Sequence, residues 1–192
     1  MPSTFRTFAA VAAVGFTLAL AGSNSLAAQE SSKSPVASSP APALDDATIV
    51  AIFDNANTAD IETGKLAAER GHSKEVRQFG AMLARDHDMV RQQGRDLAKK
   101  LGVTPTPPDG DKSLQDQAAV IRRLSALKGA EFDRAFLQRE VQFHKDVIAA
   151  IKTTLLPAIK NDELKALVVK VAPAFEAHLQ MAENLGKQLA SK

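Results

Sequence analysis

Apolar positions recur at steps of three and four over four long stretches of the chain, the pattern of amphipathic helices. In the first, Ile49, Phe53, Ala56, Thr63 and Ala67 mark one face. Asp45 or Asp46 can cap its start, and Gly71, expected at positive φ, ends it after Arg70. Ser73 caps a second stretch with Val76, Gly80, Leu83, Val90, Leu97 and Leu101 on one seam. A third runs from about Ala130 to Leu156, where Pro157 stops it, with Leu137, Val141, Ile148, Ile151 and Leu155 facing inward. The fourth begins near Asn161 or Asp162 and carries Leu164, Val168, Val171, Phe175, Ala182, Leu185 and Leu189. Pro173 falls inside it, removes the hydrogen bond to the Val169 carbonyl, and is expected to kink it.

Tight turns join the first helix to the second and the third to the fourth, but the middle connection is long. Residues 102–110 (GVTPTPPDG) hold three prolines and two glycines and cannot be helical. Lys112 to Leu127 follows with Leu114, Ala118, Ile121 and Leu124 at helical spacing, predicting a short packed helix that ends near Gly129. Two hairpins joined by such a crossover predict an all-α, ferritin-like four-helix bundle whose long connection between helices two and three contains a short helix.

Ahead of the bundle the pattern changes twice. Residues 1–28 carry Arg6, an apolar run from Phe8 to Ala21, and then Ser25-Leu26-Ala27-Ala28, the layout of a secretory signal peptide cleaved after Ala27 or Ala28. The apolar run, about 14 residues, is short of the roughly 20 that span a bilayer. Residues 29–44 form a Ser/Pro/Ala tract without the apolar residues a core needs, a disordered spacer, and 45–192 form the bundle domain. The expected location is the periplasm or the exterior, with no membrane span in the mature chain and a possible partner in the cell envelope.

Composition narrows the chemistry. The 192 residues carry a net charge of +2 with both signs interspersed, so nothing favours nucleic acid. Cysteine is absent, which excludes disulfides, thiolate nucleophiles and thiolate ligands, and the absence of tyrosine excludes tyrosyl radical chemistry. No phosphate-binding glycine loop, nucleophilic serine motif or methionine stripe of copper-protein type stands out. The chain reads more readily as a binding or interaction protein than as an enzyme, weak catalysis staying open, and no catalytic residue is assigned.

The informative positions are polar ones inside the seams. Of the four histidines, His87, His144 and His178 each take a place where leucine is expected, on three different helices. At about 1.5 Å per residue, each lies roughly 18 to 26 Å from its hairpin turn, near mid-height of helices about 40 Å long. Asp60, about 60° from Thr63 at about 100° per residue, is the carboxylate of the first helix that faces them. Asp86, Asp133 and Glu140 flank the histidine helices and could orient the rings from behind. Imidazoles with carboxylates suit iron, manganese, zinc or copper. Two readings stay open: a transition-metal site on His87, His144, His178 and Asp60, or a buried hydrogen-bond network in which the histidines only fix helix register. The paired Glu-x-x-His motif of di-iron bundles is missing, since Ala84, Val141 and Phe175 stand three residues before the histidines.

Asp60-Ile-Glu-Thr-Gly-Lys-Leu-Ala67, Val76-x-x-Phe79 through Arg85-Asp86-His87, Gly129-Ala-Glu-Phe-Asp-Arg-Ala-Phe136 with His144, and His178 together resemble a bacterial exported family catalogued as domain of unknown function 4142. The resemblance covers about Ala47 to Leu185. It implies a ferritin-like fold, an acidic residue at Asp60 where glutamate is more common, and histidines at His87, His144 and His178. It implies no reaction, and Phe136 stands where the family often has tyrosine. The functional expectation is an exported bundle that binds a transition metal, or alternatively an envelope interaction or stress-protective protein.

Overall fold

The computed structural model describes residues 44–191; the expected signal peptide and nearly all of the spacer lie outside them. Five helices and no strand make up the described residues. Helix α1 spans Asp46–Arg70, capped by Asp45, whose carboxylate accepts the Thr48 N–H at 2.8 Å. Helix α2 spans Lys74–Leu101, with the Ser73 hydroxyl accepting the Val76 N–H at 3.2 Å. Gly102, at φ 66°, closes α2 with a left-handed cap. Helix α3, Ser113–Ser125, lies in the crossover. Helix α4, Gly129–Ala150, continues through a wide π turn at Ile151–Leu155 into a last turn, Leu156–Ala158. Helix α5, Asp162–Ala190, is capped by Asn161.

Polar ties at the ends set the directions. The Asp46 carboxylate accepts the N–H groups of Lys160 and Asn161, placing the α4–α5 turn beside the start of α1. Asp133, early in α4, accepts those of His72 and Ser73 in the α1–α2 turn. So α4 starts where α1 ends and runs antiparallel to it. Helix α3 ascends beside α1: Asn55 donates to Ser113, Gln117 to the Ala59 carbonyl and Arg70 to the Ser125 carbonyl. The neighbouring pairs α1/α2, α2/α5, α5/α4 and α4/α1 are all antiparallel, giving the expected bundle with one crossover.

Several expectations need correction. Gly71 sits at φ −52°, not in the left-handed region; a methyl there would meet the Ala67 carbonyl oxygen at 2.7 Å, so space selects the glycine. On α4, Val141 and Ile148 are only half-buried, while Phe132, Phe136, Arg139, Glu140 and Phe143 are buried. That helix packs on α1, α3 and α5, so its buried arc is wider than one seam. Pro157 does not stop α4 cleanly. A proline can neither donate to nor closely approach the carbonyl four residues back, and the π turn before it widens the backbone there. As expected, Pro173 lies inside helix α5; it is exposed like Val169, so the freed carbonyl is on a solvated face.

The core has two large apolar parts and a small third one of Ala56, Ala59 and Phe143. One gathers Ile49, Phe53, Ile151, Leu155, Leu164, Val168 and Phe175 toward the start of α1. The other gathers Val76, Phe79, Leu83, Leu124, Phe132 and Phe136 toward the α1–α2 turn. Between them every helix of the bundle contributes buried polar residues: Asn57, Asp60 and Thr63 from α1, His87 from α2, Arg139, Glu140 and His144 from α4, and His178 from α5.

Helices α1 and α2 touch backbone to backbone at this level. A methyl on Gly64 would lie 2.7 Å from the Gly80 carbonyl oxygen, and one on Gly80 would lie 2.6 Å from that of Gly64. Gly80→Ala should therefore lower unfolding free energy by about 1–3 kcal/mol in urea denaturation, as overpacking does. Gly186→Ala, with nothing within 4 Å of the added methyl, should raise it by about 0.5–1 kcal/mol.

Candidate metal centre

Each histidine of the polar layer is held by a hydrogen bond on its outer side. His87 Nδ1–H donates to Asn57 Oδ1 at 2.9 Å, and the Asn57 amide nitrogen is committed to the Phe53 carbonyl at 2.8 Å, which fixes the amide's orientation. His144 Nδ1–H donates to the Glu140 carbonyl at 3.0 Å. His178 Nε2–H donates to the Asp86 carboxylate at 3.2 Å. Because each outer partner can only accept at that atom, the proton sits on the outer nitrogen and the inner one is bare. The three rings form a nearly equilateral triangle with centroids 5.7, 5.1 and 5.6 Å apart. Phe175 closes one side, 5.1 Å from His87 and 6.1 Å from His144.

Arg139 sets the carboxylates in the same way. Its Nη1 donates to Asp60 Oδ1 at 2.5 Å, to Glu140 Oε1 at 2.9 Å and to Thr63 Oγ1 at 3.2 Å, while the guanidinium lies over the Phe143 ring, 3.9 Å from its centroid. One oxygen of each carboxylate is thus occupied and the other is left toward the histidines. Asp60 Oδ2 is 3.4 Å from His87 Nε2 and 3.9 Å from His144 Nε2.

The result is an excess of acceptors. Asp60 Oδ2, Glu140 Oε2, His87 Nε2, His144 Nε2 and His178 Nδ1 are all buried without a hydrogen-bond partner. The sixth such atom among the described residues, Arg139 Nε, belongs to the guanidinium stacked on Phe143. An unmet buried acceptor costs about 1–3 kcal/mol, and five in one layer are unlike an ordinary core network. A bound metal ion would supply what they lack. One atom from each of His87, His144 and His178 lies within 4.8 Å of the others, as does one from each of Asp60, Glu140 and His144. Tetrahedral bonds of about 2.1 Å put ligand atoms about 3.4 Å apart, close to the His87–Asp60 separation. This set could hold a metal ion.

Burial also favours the neutral form of two of the imidazoles. It holds the His87 imidazolium well below the ordinary range, with the His144 and His178 rings adding to the effect. His178 is lowered too, first by burial and then by His144. Neutral imidazole is the ligating form. Burial raises the Glu140 carboxyl against the opposing pull of Arg139, and Asp60 reinforces the rise. Arg139 itself is raised: Glu140 and Asp60 outweigh its burial, so it is a permanent cation.

The structure thus brings together Asp60, His87, His144 and His178, and places Asp86 behind His178. Glu140 Oε2 lies 3.6 Å from His144 Nδ1, on the side of that ring that already donates to the Glu140 carbonyl. Asp133 is elsewhere, about 16 Å along α4 from His144 at 1.5 Å per residue, holding the α1–α2 turn. Arg139 and Asn57 are absent from the sequence reading. Arg139 had a signal, since it interrupts the stripe Phe132, Phe136, Phe143, and Asn57 had a weaker one, standing four residues after Phe53 and three before Asp60.

A family model described as a domain of unknown function (DUF4142) matches residues 31–185. The chain belongs to this family. Asp60, His87, His144 and His178 all lie inside the matched residues, and no curated protein matches the chain significantly. Among solved structures, this DUF4142 chain is similar to a DUF305 fragment from Deinococcus radiodurans, at TM-score 0.65 and 16% identity over 74% of this chain and 95% of that one. It is also similar to CopM in its Cu(II)-bound form, at TM-score 0.58 and 14% identity over 76% and 98% of the two chains. At these identities the likeness is one of fold.

Two outcomes follow for the DUF4142 bundle. Arg139→Met removes the counter-ion of two buried carboxylates and should cost about 3–5 kcal/mol in denaturant unfolding. In chelator-treated protein, His87 faces Asn57 and Asp60 from α1, Arg139, Glu140 and His144 from α4 and His178 from α5. With both histidines depressed in the folded state, the unfolded chain binds the extra protons below about pH 6.5. Their stabilising contribution is full above that pH and drains as pH falls, so the urea midpoint should drop between pH 7.5 and 5.5. The raised Glu140 acts with the opposite sign, at its strongest in acid and lost as pH rises through its folded value.

Proposed function

We propose that the chain is an exported helical-bundle protein that binds a single transition-metal ion among His87, His144, His178 and Asp60, with Glu140 beside them. The observation that carries this is a layer of five buried acceptor atoms without hydrogen-bond partners, among residues that form two groups, His87, His144 and His178, and Asp60, Glu140 and His144, with ligand atoms within 4.8 Å of one another in each. Export rests on the signal-peptide pattern of residues 1–28.

One ion, not two, fits the layer, because Arg139 already serves as the cation between Asp60 and Glu140. With both carboxylates ionised, these three residues leave one net negative charge, and Asp86 at the margin adds a second. An ion of charge one or two therefore brings the layer near neutrality. Imidazole-rich sets favour zinc, copper and iron over manganese. CopM, a bundle of similar fold solved with Cu(II), makes copper the first ion to test. The depth of the layer suits holding an ion within the envelope, in metal handling or protection from oxidation, better than turning over an organic substrate.

Elemental analysis of the exported protein, with titration by Cu(II) and Zn(II), should give one ion per chain. His87→Ala with His144→Ala should weaken binding at least tenfold, as loss of direct ligands does. Absence of any bindable metal, or binding untouched by the double substitution, would sink the proposal. A purely structural role for the histidines predicts instead a lower melting temperature with no change in metal content.

A further inference from the structure

The methionines of the bundle are dispersed in sequence, at 82, 89 and 181, and the structure sets them on one seam. Helices α2 and α5 run antiparallel, and Lys100 with Glu163 bridges them. Five helical turns are 18 residues. Met82 lies 18 residues before Lys100, and Met181 lies 18 residues after Glu163. In antiparallel helices both steps climb the same distance and return to the same angular position, so Met82 and Met181 oppose each other as the ion pair does. Gln93 and Lys170, in contact seven residues from that pair on either helix, confirm the register. Met89, one heptad from Met82, continues the line.

This seam borders the metal layer. Asp86 lies between Met82 and Met89 on α2, and His178 is three residues before Met181 on α5. Asp86 and His178 are hydrogen-bonded to each other. The His178 side chain is 7% exposed against 1% for His87 and 0% for His144, and Asp86 reaches 25%, so the layer approaches solvent here. Met89 at 53% and Met181 at 40% are two of the four exposed large hydrophobic residues among those described. Met82 is half-buried beneath them.

We infer that Met82 and Met181 form a thioether pair at the rim that takes Cu(I) and passes it to His178, with Met89, about 10 Å further along α2, as a separate outer thioether that the ion meets first. Thioethers are soft ligands that select Cu(I) and have little affinity for Zn(II), Fe(II) or Mn(II). The inference rests on the metal reading of the histidine layer and names its ion: a rim of sulfur in front of an imidazole centre favours copper over the other metals that the histidines accept. No change of oxidation state is involved; the ion exchanges thioether for imidazole ligands.

The test uses purified protein labelled with ¹³C at the methionine methyls. Ag(I), a redox-inert substitute for Cu(I), should shift the methyl signals of Met82, Met89 and Met181, and Zn(II) should leave them in place. The variant Met82→Leu, Met89→Leu, Met181→Leu keeps side-chain volume. It should lose at least tenfold in Ag(I) and Cu(I) affinity while binding Zn(II) at the histidines as before. Methyl signals unmoved by stoichiometric Ag(I), or unchanged Ag(I) affinity in the triple variant, would overturn the inference. If Zn(II) still binds through His87 and His144 in that case, the histidine centre stands without the rim; if neither ion binds, the centre falls too.

Discussion

The arrangement depends on one buried cation. Arg139 is enclosed at mid-height of the bundle, and through a single nitrogen it binds Asp60 on α1 and Glu140 on α4. Without it two carboxylates would face each other and three imidazoles in a low-dielectric interior, an arrangement that repulsion and desolvation would force to protonate or open. With it, each carboxylate keeps one oxygen for the histidines. The stacking of its guanidinium on Phe143 binds the cation through its face while its edge stays polar.

That layer divides the core, and the packing around it answers the division. The apolar groups above and below supply the hydrophobic stabilisation, and the contact of Gly64 with Gly80 brings α1 and α2 close enough for Asn57 and Asp60 to reach His87. The end ties, Asp46 to the α4–α5 turn and Asp133 to the α1–α2 turn, set the heights at which the helices meet. A ligand set drawn from four helices needs such a frame, because a slide of one turn moves a ring by about 5 Å.

Membership of the DUF4142 family and likeness to the DUF305 fragment and CopM describe a shared helical architecture; the chemistry is argued from this chain's own atoms. The usual two-metal bundle site takes a carboxylate and a Glu-x-x-His pair from opposed helices. Here the Arg139 guanidinium pairs with Asp60 and Glu140, and the histidines come singly from α2, α4 and α5. The same fold thus presents a different centre.

The helices, their caps at Asp45, Ser73 and Asn161, the crossover and the histidines in the seams were all legible in the order of residues. Local propensity and a 3.6-residue period write these features within a few turns of chain. The π turn before Pro157, the wide buried arc of α4 and the spacing role of Gly71 were not, because each depends on what packs against the helix. The partner of a polar side chain is equally non-local. The stripe of Phe132, Phe136 and Phe143 marks Arg139 as inward, but its partners appear only when α1 is laid beside it, and Asp133 and Glu140, alike in sequence, part company once the ends are tied. Sequence alone determined which residue types would lie inside this bundle, since periodicity assigns each helix an inward face. Tertiary structure alone decided which of them meet, because register between helices is set by contacts among residues dozens of positions apart.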